Sequence, residues 1–186
     1  VSERSGVRSS LEAFSIFSMR FIAFFFILIV FVTSQQVPLG REMGEDVDWK
    51  EYDEGMKEIR EKGRPGMIVF HRNYCTQCKR LGEEIHENPK FIKRSKKFVM
   101  ISCNGFNDPD PTPFEFGKVS FFSFLLDGKY LPRIFFVYPN GTVAFSWVSS
   151  PLAFQYRYYY RSARQWNLKM KDFLKALHKE HVESEL

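Results

Sequence analysis

One short stretch constrains this chain more than any other: Asn73-Tyr74-Cys75-Thr76-Gln77-Cys78-Lys79. The apolar, partly β-branched run Met67-Ile68-Val69-Phe70 precedes it and predicts a buried strand. Cys78, Leu81 and Ile85 follow at helical spacing. A Cys-x-x-Cys pair is therefore expected where a strand ends and a helix begins. The first cysteine would lie at the helix N-terminus, where free N–H groups and the positive dipole end stabilise a thiolate. The second lies one turn later on the same side, within reach of a disulfide. The expectation is a thiol–disulfide site.

The rest of the composition narrows the class. The chain has 186 residues, which fits one domain plus extra segments. It is 44% hydrophobic and 17% aromatic, enough to fill a core. A net charge of +5 is a mild excess, and no Arg/Lys stripe interleaves with aromatics, so a nucleic-acid partner is not expected. The only cysteines are Cys75, Cys78 and Cys103, too few for a disulfide scaffold. A zinc half-site is the competing reading, with Cys103 and His71 or His86 completing the set. The strand–helix context favours redox chemistry, so no metal and no bound cofactor are expected.

The first residues read as targeting sequence. Residues 1–18 are rich in Ser and Arg, Met19-Arg20 gives a basic start, and residues 21–32 form a twelve-residue apolar core. Small and polar residues follow at Thr33-Ser34-Gln35. This pattern predicts a secretory signal peptide within residues 1–36, with Met19 as its start and a mature N-terminus near Ser34–Val37. Twelve residues are too few for a bilayer of about 30 Å, so no stable membrane insertion is expected after cleavage. An uncleaved anchor is the alternative.

Residues 37–45 read as a lead-in, 46–182 as the domain, and 183–186 as a tail. Trp49, Tyr52, Met56 and Ile59 recur at helical spacing, capped by Asp46 or Asp48 and stopped by Gly63-Arg64-Pro65-Gly66. The active-site helix is predicted over residues 76–88, ended by Pro89. A basic run over 90–97 predicts a short helical turn with a solvated face. Residues 98–103 form a second strand. The loop 104–130 contains Asn107-Asp-Pro-Asp-Pro-Thr-Pro113 and a strongly apolar stretch within 118–126 whose role its pattern does not specify. A third strand covers 131–138, Pro139-Asn140-Gly141 signals a hairpin, and 142–148 is predicted as a fourth strand antiparallel to it. Trp166, Met170, Phe173, Leu174 and Leu177 form one apolar stripe of a final helix.

This order of elements resembles the thioredoxin fold. Four motifs narrow the likeness: Tyr74-Cys-Thr-Gln-Cys-Lys-Arg-Leu81, Asp127-Gly-Lys-Tyr-Leu-Pro-Arg-Ile-Phe-Phe136, Tyr156-Arg-Tyr-Tyr-Tyr160 and the Glu-Ser-Glu-Leu tail. Together they resemble the small endoplasmic-reticulum thioredoxin-like proteins, the family of thioredoxin domain-containing protein 12 and the anterior gradient proteins. The resemblance covers roughly Asp46 to Leu186. It implies an α/β thioredoxin fold, with a central mixed sheet of about four strands flanked by helices. The chain departs from the family pattern in four places. Tyr74 replaces the usual tryptophan, Thr76-Gln77 replaces a Gly-containing pair, and the loop 104–130 is longer and less acidic. Val69 stands where ordinary thioredoxins carry a buried carboxylate.

The family's function implies roles for individual residues. Cys75 would attack a client sulfur and Cys78 would resolve the mixed disulfide, so the two form a redox-active disulfide. The partners implied are cysteine-containing client proteins, with glutathione or other oxidoreductases exchanging electrons. Pro132 would be cis and face the pair, with Leu131 pairing its backbone to an extended client and Tyr74 beside it. The bland alternative is that Pro132 only begins an edge strand. Cys103 is expected as a buried thiol, with an intermolecular disulfide as the alternative. Asn140-Gly141-Thr142 is an N-glycosylation sequon, though Asn-Gly also suits a tight turn. Glu183-Ser184-Glu185-Leu186 resembles a retention signal and implies a retention receptor and the endoplasmic reticulum lumen. Anterior gradient proteins of this family lack the second cysteine and imply the contrasting activity, a chaperone-like client-binding module without catalysis. His71 is read as a neighbour of the Cys75 thiolate or as a polar residue leaving the core, and the Tyr156–Tyr160 run as packing against the sheet.

Overall fold

The computed structural model describes residues 40–105, 130–152 and 155–184. The chain divides into Val1–Val37 and Pro38–Leu186, and every described residue belongs to the second unit. The expected signal peptide, most of the loop 104–130 including residues 118–126, and the last two tail residues lie outside the described residues.

Strand β2 (Gly66–Phe70) is central, and all five of its residues are buried. Runs buried on both faces read as continuously apolar, which is what Met67–Phe70 shows. On one side β2 pairs in parallel with β3 (Val99–Cys103), from Gly66 opposite Val99 to Phe70 opposite Cys103. On the other it pairs antiparallel with β4 (Arg133–Val137), from Gly66 opposite Val137 to Phe70 opposite Arg133. A two-residue strand β1 (Trp49–Lys50) adds parallel to β3, giving the order β1-β3-β2-β4. The sheet is thus mixed and four-stranded.

Helix α1 (Tyr52–Lys62) covers one face, where Met56 and Ile59 join Ile68, Phe70, Val99, Ile101, Phe135 and Val137. Helices α2 (Thr76–His86), α3 (Pro89–Ser95) and α4 (Ala163–Ser184) accompany the other face. There Leu81, Ile85, Phe91, Trp166, Met170 and Phe173 join Met67, Val69, Met100, Ile134 and Phe136. The alternation of partners along β2 is the period of two expected of a strand. Local signals place the helix ends. Asn88 accepts a hydrogen bond from Phe91 N at 3.0 Å, with Pro89 at the first helical position. Gly63 ends α1 in the left-handed conformation.

Three expectations are corrected. Trp49 belongs to β1, not to the stripe of α1, because its parallel pairing with Met100 and its indole bond to Gly44 O at 2.8 Å hold it extended. Neither Asp46 nor Asp48 caps α1; the cap position is Glu51, which makes no side-chain capping bond. Residues 142–148 do not form a fourth strand. The hairpin turn does form, with Gly141 N to Tyr138 O and Tyr138 N to Thr142 O both at 2.8 Å. Pairing then stops after one bridge, Val137–Val143. The chain turns at Ala144, whose carbonyl accepts from Trp147 N, and the Trp147 ring packs 4.9 Å from Phe173. Packing that half-buried indole on Phe173 takes the place of the rungs a longer ladder would add.

The core also begins before residue 46. A 3-10 turn over Arg41–Met43 seats Met43 in the core, fully buried. At the other end α4 continues through Ser184, so Glu183 and Ser184 extend the helix, and Glu183 pairs with Lys179 at 3.6 Å.

Candidate functional site

The Cys-x-x-Cys pair sits where the sequence places it. β2 ends at Phe70, His71 N still bonds to Cys103 O, and Cys75 is the N-cap of α2. Cys75 and Cys78 are joined as a disulfide with their Cα atoms 5.2 Å apart. Cys78 N donates to Cys75 Sγ at 3.1 Å, so the sulfur occupies the position of a capping oxygen. Cys75 is half-buried, whereas Cys78 is fully buried. An incoming group can therefore reach only the first sulfur. The second is shielded among Val69, Leu81 and Met43, in the same apolar cluster.

The flanking cations are partly engaged elsewhere. Arg72 donates to the carbonyls of His71 and Cys103 at 2.7 and 3.1 Å. Arg80 bonds Gln77 Oε1 and Arg161 O, and pairs with Glu84 at 3.6 Å. The electrostatic support of a Cys75 thiolate thus rests mainly on the helix N-terminus and Lys79.

β4 runs antiparallel to β2, so its start lies beside the end of β2 that leads to Cys75. The Leu131–Pro132 peptide bond at that start is cis. Pro132 is buried, and Leu131 is half-buried against both apolar clusters. Tyr74 is 77% exposed beside the first cysteine. Cys103 is fully buried at the end of β3. Asn140 is exposed at the hairpin tip, and its Oδ1 accepts from Thr142 N at 2.9 Å. His86 lies at the far end of α2, hydrogen-bonded to Asp46.

A buried polar group lies under the site: His71, with Ser102 and Glu42. His71 is fully buried, two residues beyond Val69 along the same strand direction. Its Nε2 is 2.7 Å from Ser102 Oγ, and its Nδ1 is 3.4 Å from Glu42 Oε2, outside hydrogen-bond geometry. Burial, and then the charge of Arg72, push the His71 pKa down to about 4, so the ring is neutral at pH 7. Glu42 arrives on the 3-10 turn, whose backbone presses on α2 at Gly82, one turn after Cys78. Val69 itself carries no carboxylate, and the carboxylate of Glu42 lies beside His71. No local pattern marked Glu42; the clue was the empty carboxylate position itself. The tyrosine run also divides: Tyr158 and Tyr160 are buried, Tyr156 is exposed, and Tyr159 reaches Gln77 Oε1 at 3.2 Å.

A mixed sheet flanked by helices, with a dithiol pair capping a helix at the end of its central strand, defines a thioredoxin-like protein. A family model described as thioredoxin-like matches residues 48–139. Residues 48–139 are a thioredoxin-like domain, and the relatives that the chain resembles are anterior gradient proteins. It is 30% identical to Anterior gradient protein 3 of Mus musculus over 108 residues, which are 56% of this chain and 58% of that protein. It is 27% identical to Anterior gradient protein 2-B of Xenopus laevis over 63% of this chain and 72% of that protein. With Anterior gradient protein 3 of Homo sapiens it shares 28% identity over 56% and 57% of the two chains. The match therefore spans less than two thirds of the mouse and human relatives.

Proposed function

We propose that this protein is a thiol–disulfide oxidoreductase of the endoplasmic reticulum lumen, working on client proteins through Cys75-Thr-Gln-Cys78. The observation that carries the reading is the asymmetry of the pair: an accessible Cys75 capping a helix and a buried Cys78 bonded to it. As oxidant, the disulfide accepts a client thiolate at Cys75 Sγ and releases Cys78 as thiolate. A second client thiolate then attacks the client sulfur of the mixed disulfide and releases Cys75. In reverse, Cys75 attacks a client disulfide, and Cys78 resolves the intermediate. Leu131 presents the backbone edge on which an extended client segment pairs, Pro132 holds that edge, and Tyr74 flanks it. Glutathione or another oxidoreductase resets the pair, and the protein itself needs no bound cofactor.

Both cysteines are present, which favours exchange over simple client holding. The test is a pair of substitutions. Cys75→Ser abolishes turnover. Cys78→Ser leaves Cys75 reactive and accumulates mixed disulfides, because the resolving thiol is gone. A Cys78→Ser protein that traps no client, with Cys75 reacting no faster than a free thiol, would refute the assignment. The signal segment 1–36 and the tail 183–186 support the lumenal location. Removing the last four residues should release the protein into the medium through loss of receptor capture. Retention unchanged by the deletion would indicate an anchor instead.

A further inference from the structure

We infer that the surface beside the disulfide docks a client segment that carries acidic residues around its cysteine and an aromatic side chain nearby. This rests on the oxidoreductase reading and specifies its substrate class. The first observation is a tyrosine cluster. The Tyr130 ring meets Tyr156 edge-to-face at 5.1 Å and Tyr159 at 6.5 Å. Its face is covered by the buried Arg133 guanidinium, 4.2 Å from the ring centre, and its hydroxyl accepts from Tyr158 N at 2.9 Å. Tyr159 carries the cluster to the redox motif through Gln77, the residue just before Cys78. The cluster is therefore rigid, and it joins the Cys-x-x-Cys motif on one side.

The second observation is backbone strain. Tyr156 has φ +57°, the left-handed region that a bulky residue rarely adopts, yet its side chain is 53% exposed. Strain in an exposed aromatic is not explained by core packing. Such outliers persist where a side chain is held for use. Here the strained turn, closed by Tyr159 N to Tyr156 O at 3.0 Å, keeps the ring on Tyr130 and facing solvent.

The third observation is charge. Among the described residues, the segments that frame the site are 71–82, 130–133 and 155–164, and none contains Asp or Glu. They carry Arg72, Lys79, Arg80, Arg161 and Arg164 outside the core. Glu84 pairs with Arg80 at 3.6 Å, while Lys79, Arg161 and Arg164 are exposed. Complementary charge speeds encounter and rejects basic segments, while a tyrosine platform gives stacking area at low entropic cost. An acidic, aromatic segment meets both demands.

Three peptides test this, with acidic-aromatic, neutral and basic-aliphatic flanks around the same cysteine pair. Versions with serine for cysteine measure docking alone by fluorescence anisotropy. The acidic-aromatic peptide should bind about tenfold more tightly than the basic one at low salt, with the gap closing at high salt. Arg161→Glu should erase the charge preference. Tyr156→Gly relieves the strained φ, so it should retain the melting temperature while weakening the acidic-aromatic peptide about fivefold. The wild-type pair itself should be reduced reversibly by dithiothreitol. Equal binding of the three peptides overturns the docking inference and leaves the oxidoreductase reading intact. Failure of dithiothreitol to reduce the pair reversibly overturns that reading itself, and the substrate class with it.

Discussion

Cys75 and Cys78 illustrate how two like residues acquire different work from burial alone. The first accepts a backbone N–H and meets solvent; the second is sealed under the helix. With Arg72 and Arg80 turned toward carbonyls and Glu84, the helix terminus dominates the poise of the pair. It favours the reduced thiolate and so makes the disulfide oxidising. We expect a reduction potential of about −200 to −160 mV in glutathione equilibration, against roughly −270 mV for thioredoxin. A value near the latter would make the protein a reductase. His71 gives a second residue-scale prediction. Its pKa falls from 6.5 when unfolded to about 4 in the fold. Between those values the unfolded chain binds a proton that the native ring does not, so stability is lost as pH drops through this window. The loss amounts to about 3 kcal/mol at its limit. Denaturant titrations from pH 7 to 4.5 should show a slope that His71→Gln removes; matching slopes would mean that the buried ring titrates freely.

At the scale of elements, the 3-10 turn and α2 act as one unit. A Cβ on Gly82 would stand 2.3 Å from Glu42 O, a backbone atom that cannot yield as a side chain would. Gly82→Ala should therefore push the turn away, costing about 1–3 kcal/mol. It should also displace Glu42 from His71 and slow resolution at Cys78 more than attack at Cys75. Stopped-flow measurement of the two steps separates these outcomes, and equal slowing would detach the turn from the site. Helices α1, α2 and α4 are legible because each carries an apolar stripe, with Gly63 stopping α1 and Pro89 following α2. The short β1 was not, since two residues have no period and Trp49 also fits the spacing of α1. After Asn140-Gly141 the alternating pattern suits a strand, but only the single Val137–Val143 bridge forms. The turn chemistry is local, whereas packing Trp147 rather than extending the ladder depends on Phe173, far along the chain.

For the whole molecule, α4 closes the structure. The Phe173 ring lies 4.7 Å from Phe136, 4.9 Å from Trp147 and 5.4 Å from Tyr138, tying β4 and the hairpin arm together. Phe173→Ala should cost about 3–5 kcal/mol and lower the melting temperature by about 10 °C, with little change in the potential of the disulfide. A smaller loss would show that the arm repacks over the cavity. What the chain determines by itself is the strand–helix junction at Cys75, the stripes that choose helix faces, and the turn residues that end them. These depend on neighbours a few positions away, so they can be read in one dimension. Only the tertiary structure decided that Glu42 would meet His71, that Tyr156 would lie strained on Tyr130, and that Tyr159 would reach Gln77. Those contacts join segments that have no shared period. They exist because the sheet order β1-β3-β2-β4 brings distant loops to one end of β2.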